Sequence, residues 1–417
     1  FWYNVFDQKN KTQRRETMST INITSFFSFC RVRVVKQSVD SRTKSINITV
    51  KPDRRYKPIC YKCKGPAKTV HAYKQRTIRD LNVFDARTYL SIVYRVIVCP
   101  GCGYTVEESS LLQPYGRVTK RLAAHIIDLC RYMTITDVAG YLGLDWRTVK
   151  KVHKQHLKES ISSKPPPAPR ILIVDEIAIR KGHRYLTIVA DWENGTVLWV
   201  GKDRRYESLK GFFDSLSEEQ RNSIEAVALD MWDPYIKAVR TSCPQAHIVF
   251  DQFHMVSAFG RVIDKVRNAE YRNASQEDKQ VIKGSRYLLL KNKPNLSKEE
   301  KPRLEALLNL NQTLTTVYIF KDLLKRLWQY TYPAYAQRAI EQLSDLAHES
   351  AIGPLKTFVK TIKRYAYGIV NHCKFPIHTS RIEGMNNKIK VIKRKAYGFL
   401  DIEYFSLLIK NAFAPTN

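Results

Sequence analysis

Apolar positions recur along this chain with two different periods, and the places where the period changes divide it into segments. Residues 1–45 are basic and weakly patterned and are expected to be poorly ordered. Residues 46–110 hold strand-like runs, the clearest at 89–98. In 111–159 three helical patterns succeed one another, at 118–130, 135–141 and 146–157. Residues 160–169 (SISSKPPPAP) lose all pattern, and their consecutive prolines stiffen them into an extended linker. A new domain starts at Arg170. Residues 171–179, 185–192 and 196–201 read as strands, the last two joined by the two-residue turn Asn194-Gly195. A helix at 206–216, a buried strand at 224–229, a helix at 236–241, a strand at 247–250 and a helix from near His254 follow. After about Arg267 strand signals vanish, and 276–290, 303–330, 333–348 and 354–370 all show helical spacing.

Three antiparallel strands, then helix, strand, helix, strand, helix, is the order of a ribonuclease H-like fold. The expected architecture is therefore multidomain α/β. A small zinc ribbon (46–110) and a helical helix-turn-helix domain (111–159) precede a ribonuclease H-like core at 170–270. A large all-helical insertion at 271–372 must fold back to bring 373–417, with its long terminal helix, onto the sheet.

Composition sharpens this. The 417 residues are 44% hydrophobic, enough for real cores, yet they carry 70 Lys and Arg against 39 Asp and Glu, a formal net charge of +31 spread along the chain. Such a field collects polyanions, so DNA is the expected partner. No apolar run approaches the roughly 18 residues of a membrane span, and nothing N-terminal reads as a signal peptide, so a cytoplasmic, nucleoid-associated location without membrane contact is expected. The first methionine is Met18, and the residues before it are expected to be a fragment edge or read-through.

Of the eight cysteines, Cys60, Cys63, Cys99 and Cys102 form two C-x-x-C pairs about 35 residues apart. Two such knuckles supply four thiolates to one tetrahedral Zn2+, a closed structural site with no position left for water. In the third helical pattern Arg147, Lys150, Lys151 and Lys154 fall outward with Val149 and Val152 inward, the layout of a recognition helix entering a major groove.

Residues 378–394 (HTSRIEGMNNKIKVIKR) place Ile382, Met385, Ile389 and Ile392 on one helical face. Glu383, Asn386, Asn387, Lys390 and Arg394 fall on the other. A carboxylate followed by a basic stripe suits a helix that holds a metal at its first turn and tracks DNA along the rest. Ser380-x-x-Glu383 also reads as a capping box, in which Glu383 would turn back on its own helix. Two further acids weigh against that reading. Asp175 stands in the middle of an apolar strand, where an unpaired carboxylate is costly, its neighbour Glu176 falls on the opposite face so that only one of the two can serve, and Asp230 ends the fourth strand. In the expected fold these strands adjoin, and the terminal helix packs across them. Glu383 is then expected to face Asp175, with Ser380 capping alone.

These segments together resemble a DDE-type transposase of the insertion-sequence family L three, from about Ile46 to Phe413. The resemblance rests on Cys60, Cys63, Cys99 and Cys102, and on the helix-turn-helix. It rests further on Ile173-Val174-Asp175-Glu176, Ala228-Leu229-Asp230-Met231, Phe250-Asp251-Gln252-Phe253-His254 and Ser380-Arg381-Ile382-Glu383-Gly384-Met385-Asn386-Asn387. It implies that Asp175, Asp230 and Glu383 are the catalytic triad and bind two Mg2+ or Mn2+ ions. It also implies that the zinc ribbon and helix-turn-helix recognise the terminal inverted repeats of a mobile element, with Asp251 and His254 beside the site and Lys390 near the DNA end. The chain is expected to act as a homo-oligomer on DNA, cutting element ends and joining them to a target. A structure-specific ribonuclease H-like nuclease or resolvase, or a non-catalytic DNA-binding regulator, would share part of this pattern.

Overall fold

The computed structural model describes residues 30–112, 116–162, 168–180, 184–377, 380–396 and 398–414. The chain divides into two compact units, Phe1–His153 and Lys154–Asn417.

The first unit contains strands β1 (Val32–Asp40), β2 (Ser45–Pro52), β3 (Thr69–Arg79), β4 (Arg87–Cys99) and β5 (Gly103–Val106), then helices α1 (Lys120–Cys130) and α2 (Ile135–Leu142) and the start of α3 (Trp146–Ser162). Its sheet runs β1-β2-β4-β3, with β5 also paired to β4. β1 is a correction, because residues 32–40 were expected to be poorly ordered. Its side chains are mostly exposed, which is why no apolar pattern announces it. Backbone pairing with β2 orders it all the same. Residues 1–29 lie outside the described residues.

The helix-turn-helix forms as expected. Thr134 caps α2 with a full capping box to Asp137, and α2 ends on Gly143 at φ 62, a left-handed position that glycine takes without a Cβ penalty. Val138, Ala139, Leu142 and Val149 pack with Leu122 and Ile126 into one small core. Asp80, fully buried, accepts from Thr119 Oγ1 and from Arg121, and Arg79 donates to the carbonyl of Leu142, so polar contacts as well as apolar ones hold these helices to the end of β3.

In the second unit β6 (Ile171–Arg180), β7 (Arg184–Asp191) and β8 (Val197–Lys202) are followed by α4 (Tyr206–Asp214), α5 (Glu218–Asn222), β9 (Ala226–Leu229), α6 (Asp233–Ser242), β10 (His247–Phe250) and α7 (Gln252–Asn273). The sheet order is β10-β9-β6-β7-β8, with β6, β9 and β10 parallel and β7 antiparallel to its neighbours. This is the ribonuclease H-like arrangement the element order predicts. β9 and β10 are short apolar runs, as parallel strands covered on both faces require. The helical insertion comprises α8 (Gln276–Ile282), α9 (Arg286–Leu290), α10 (Glu300–Leu310), α11 (Gln312–Arg326), α12 (Pro333–Glu349), α13 (Gly353–Arg364) and α14 (Ala366–Val370). The chain ends in α15 (Ser380–Lys395) and α16 (Ile402–Ala412).

The two faces of this sheet bury different partners. Leu172 and Val174 of β6 join the large core built with α4, α6, α7 and the insertion helices. Ile171, Ile173 and Ile177 point the other way, into clusters that include Ile382, Met385 and Ile389 of α15 and Phe405 and Ile409 of α16. Burying each of those three α15 side chains contributes roughly 1.5–3 kcal/mol, enough to fix which edge of α15 faces the sheet.

Candidate active site

Register brings the two aspartates together. Ile173 pairs with Ala228 across parallel strands β6 and β9, so two residues further on Asp175 stands beside Asp230, and both follow the face that α15 covers. Glu176, on the other face, pairs with Arg204 at 2.9 Å, whose guanidinium lies over the rings of Tyr185 and Trp232. Alternation along β6 thus selects one of two adjacent acids for the site.

Asp175 is held from two sides. Its Oδ1 accepts from the Glu176 backbone N–H at 2.7 Å, and its Oδ2 accepts from Asn386 Nδ2. Burial, and after it the charge of Asp230, push the Asp175 carboxyl up to about 6. Asp230 Oδ1 lies 2.9 Å from His254 Nε2. Burial works against the His254 imidazolium, but the hydrogen bond and charge of Asp230, with Asp251 and Asp175 behind them, outweigh it and raise the His254 pKa above its ordinary value. Asp251 caps α7 by accepting from the Phe253 N–H, and its carboxylate stands 3.9 Å from His254.

Ligand atoms of Asp175, Asp230 and His254 all lie within 4.8 Å of one another. Glu383 is not in that group; it stands exposed in the first turn of α15, and Asn386, three residues on, makes the contact to Asp175. The expected juxtaposition of Glu383 and Asp175 is therefore not what this structure shows. His378, Thr379 and the Ser380 side chain, on which the capping reading turns, lie outside the described residues. Sequence reasoning assigned Asn386 to DNA and missed its place at Asp175. Its helical spacing from Glu383 was the available signal, since residues one turn apart share an edge.

Two carboxylates side by side form an oxygen-rich donor set, and the Asn386 amide that donates to Asp175 has its Oδ1 buried and without a hydrogen-bond partner. Hard divalent cations prefer such donors. A second group able to hold a metal is Cys60, Cys63, Cys99 and Cys102, whose sulfurs also cluster within 4.8 Å. Cys60 and Cys63 sit on the turn before β3, and Cys99 and Cys102 on the β4–β5 hairpin. The backbone N–H groups of Cys63 and Lys62 hold the Cys60 thiol down to about 7.

Among the candidate DNA contacts, Arg147 and Lys151 are exposed and Lys150 half-buried on α3, and Asn387, Lys390 and Arg394 are exposed on α15. Lys154 departs from its expected outward position. Its ammonium bridges Asp401 and Glu403 at 3.0 and 2.7 Å, and Lys158 adds a second pair to Glu403.

Comparison with known proteins completes the picture. A family model described as transposase, of the DDE type in family ISL3, matches residues 172–409. The helix-turn-helix domain of transposase family ISL3 matches 107–157, and the zinc-finger of transposase IS204/IS1001/IS1096/IS1165 matches 57–103. The chain belongs to the ISL3 family of DDE transposases. The transposase for insertion sequence element IS1001 of Bordetella parapertussis is 40% identical over 375 residues, spanning 89% of this chain and 92% of that protein. The transposase for insertion sequence element IS1557 of Mycobacterium tuberculosis is 25% identical over 318 residues, 70% of this chain and 71% of that one. The ISL3 chain thus joins a helix-turn-helix DNA-binding domain to a DDE catalytic domain, and no helix among its described residues is long and apolar enough to cross a membrane.

Proposed function

We propose that this transposase binds the terminal inverted repeats of its element through the zinc ribbon and helix-turn-helix. It then hydrolyses a strand at each end and directs the freed 3'-hydroxyl at target DNA. The observation that carries the catalytic part is the side-by-side pair Asp175 and Asp230 on the sheet face covered by α15. Asp175, Asp230 and Glu383 are the proposed metal-binding triad. Two Mg2+ or Mn2+ ions bound there would stabilise the attacking and leaving oxygens of an in-line displacement. The chain's own groups prepare the site. The Glu176 N–H and Asn386 hold Asp175 in one orientation, and His254 holds Asp230. Glu383 stands one helical turn before Asn386, on the same edge of α15 from which Asn386 meets Asp175. Arg147, Lys150 and Lys151 are the proposed groove contacts on α3, and Asn387, Lys390 and Arg394 the proposed contacts to the DNA end. One Zn2+ on the four cysteines, assembly as a homo-oligomer on DNA and a nucleoid-associated location belong to the same reading.

Strand cleavage of a DNA duplex ending in the element's inverted repeat, in Mg2+, tests it. Asp175→Asn, Asp230→Asn and Glu383→Gln are each expected to lower the cleavage rate by about three orders of magnitude or more while leaving repeat binding intact. Wild-type cleavage by Glu383→Gln would remove Glu383 from the triad. Repeat binding without any metal-dependent cutting would leave a DNA-binding regulator.

A further inference from the structure

We infer that Asn386 supplies a side-chain oxygen to the divalent-metal site at Asp175 and Asp230, an assignment that rests on the metal-binding reading of those two residues. Ile382, Met385 and Ile389 anchor α15 against the sheet and so turn Asn386 inward, unlike its exposed neighbours Asn387 and Lys390. Its amide is committed at one end only. Nδ2 donates to Asp175 Oδ2, while Oδ1 is buried and without a hydrogen-bond partner. Buried polar atoms in native proteins nearly always have a partner, so an orphaned carbonyl oxygen beside a functional site marks a place where an ion or water belongs. The surroundings favour the ion. The amide that carries this oxygen touches Asp175, whose carboxylate stands beside that of Asp230; as anions both can only accept, and His254 is already engaged with Asp230. A cation is the one partner that satisfies the Asn386 oxygen and offsets both carboxylates together, and an amide carbonyl is an ordinary ligand for a hard divalent metal. Asn386 would then keep Asp175 oriented through Nδ2 and bind the metal through Oδ1, directly or through one water.

The zinc-loaded full chain is titrated with Mn2+, and free Mn2+ is read from its electron paramagnetic resonance signal. Asn386→Ala is expected to weaken Mn2+ binding about tenfold or more. Asn386→Asp, which keeps an oxygen and loses the amide donor, is expected to bind at least as tightly as the natural chain. If both variants weaken alike, Asn386 acts only as a donor that tethers α15 to Asp175, and the inference is overturned. It is also overturned if a folded Asn386→Ala chain binds within about twofold of normal while Asp175→Asn loses binding. Should Asn386→Ala fail to fold, Asn386→Asp decides alone: retained or tighter binding supports the oxygen ligand, and weaker binding overturns it. Asp175→Asn separates the two levels of the argument, because unchanged Mn2+ binding there removes the metal reading itself and the Asn386 assignment with it.

Discussion

Asp175 is where a single residue's chemistry is most constrained. With Glu176 on the opposite face it interrupts an apolar run, sits beside Asp230, and has its carboxyl pushed up to about 6 by burial and then by that second charge. A carboxylate whose folded pKa lies above its unfolded value favours the protonated folded state. Its charge therefore destabilises the fold progressively as pH rises from about 4 to about 6, and fully above that. In a zinc-loaded chain free of Mg2+, Asp175→Asn is expected to be more stable at pH 7.5 by roughly 1–3 kcal/mol and close to neutral at pH 3.5. Thermal unfolding at the two pH values checks this, and a destabilised variant at pH 7.5 would mean that the hydrogen bonds from Glu176 and Asn386 dominate. The same residue was legible in the sequence because a carboxylate inside an apolar run is costly unless a cation or hydrogen-bond donors offset it. Asn386 was not. Glu383, Asn386 and Lys390 share the polar arc of one helix, and which of them meets the sheet depends on the rotation that Ile382, Met385 and Ile389 impose. Lys154 was misread for a related reason, since its partners Asp401 and Glu403 lie some 247 residues away in the chain.

Elements with a strong period were readable, and those defined by pairing or caps were less so. The strands of the ribonuclease H-like sheet and the three helices of the first unit appear where periodicity puts them, within a few residues. β1 was invisible because its order comes from the ladder to β2 and not from an apolar face. The long helical pattern at 303–330 divides at Asn311, which leaves helical dihedrals and accepts from the Leu314 N–H as a cap while its amide donates to Glu270. That break lets α11 pack on α7, where Phe320 stacks on Phe259 at 5.0 Å. On the same helix Lys321 is 2% exposed, donates to the carbonyls of Leu289 and Lys291, and is driven down by burial from its ordinary 10.5 to about 8. Between those two values the unfolded chain binds more protons than the folded one, so stability gains up to about 1.4 kcal/mol per pH unit from this residue across that window. Lys321→Met is expected to lose that slope. Urea midpoints of the chain and the variant at pH 7, 8.5 and 9.5 read it out as a stability difference that is constant below 8 and changes above.

At the scale of the whole molecule the formal charge of +31 and a first unit organised by its proposed metal would act together. The charge supplies affinity for any DNA and makes that affinity fall with salt, because each phosphate contact releases condensed counterions. Selection of one sequence must come from side chains held in fixed positions; in the first unit buried Asp80 at the end of β3 holds the first of the three helices through Thr119 and Arg121, and the cysteine cluster lies at the end of β4. Arg95 and Glu107, both nearly buried and paired at 2.6 Å, tie β4 to the chain just beyond β5 and so brace the cluster from one side. The four thiols gathered there repel one another once ionised, and without a metal the core around them is only Cys60, Ala67, Ile97 and Cys99 with partly buried Val70 and Cys102. On the zinc reading such a small core is expected to fold only as the metal binds. Stripping the metal with a chelator, or Cys60→Ser, is therefore expected to leave salt-sensitive binding to random DNA largely in place and to lower the preference for the inverted repeat by about tenfold or more. Arg147→Ala with Lys151→Ala, in the metal-loaded chain, is expected to reduce the slope of log affinity against log salt by about two while the fold stays intact. Competition binding across a salt series distinguishes the two. Equal loss of random and repeat binding on chelation would show that the cluster supports the whole DNA surface and not the selective part alone.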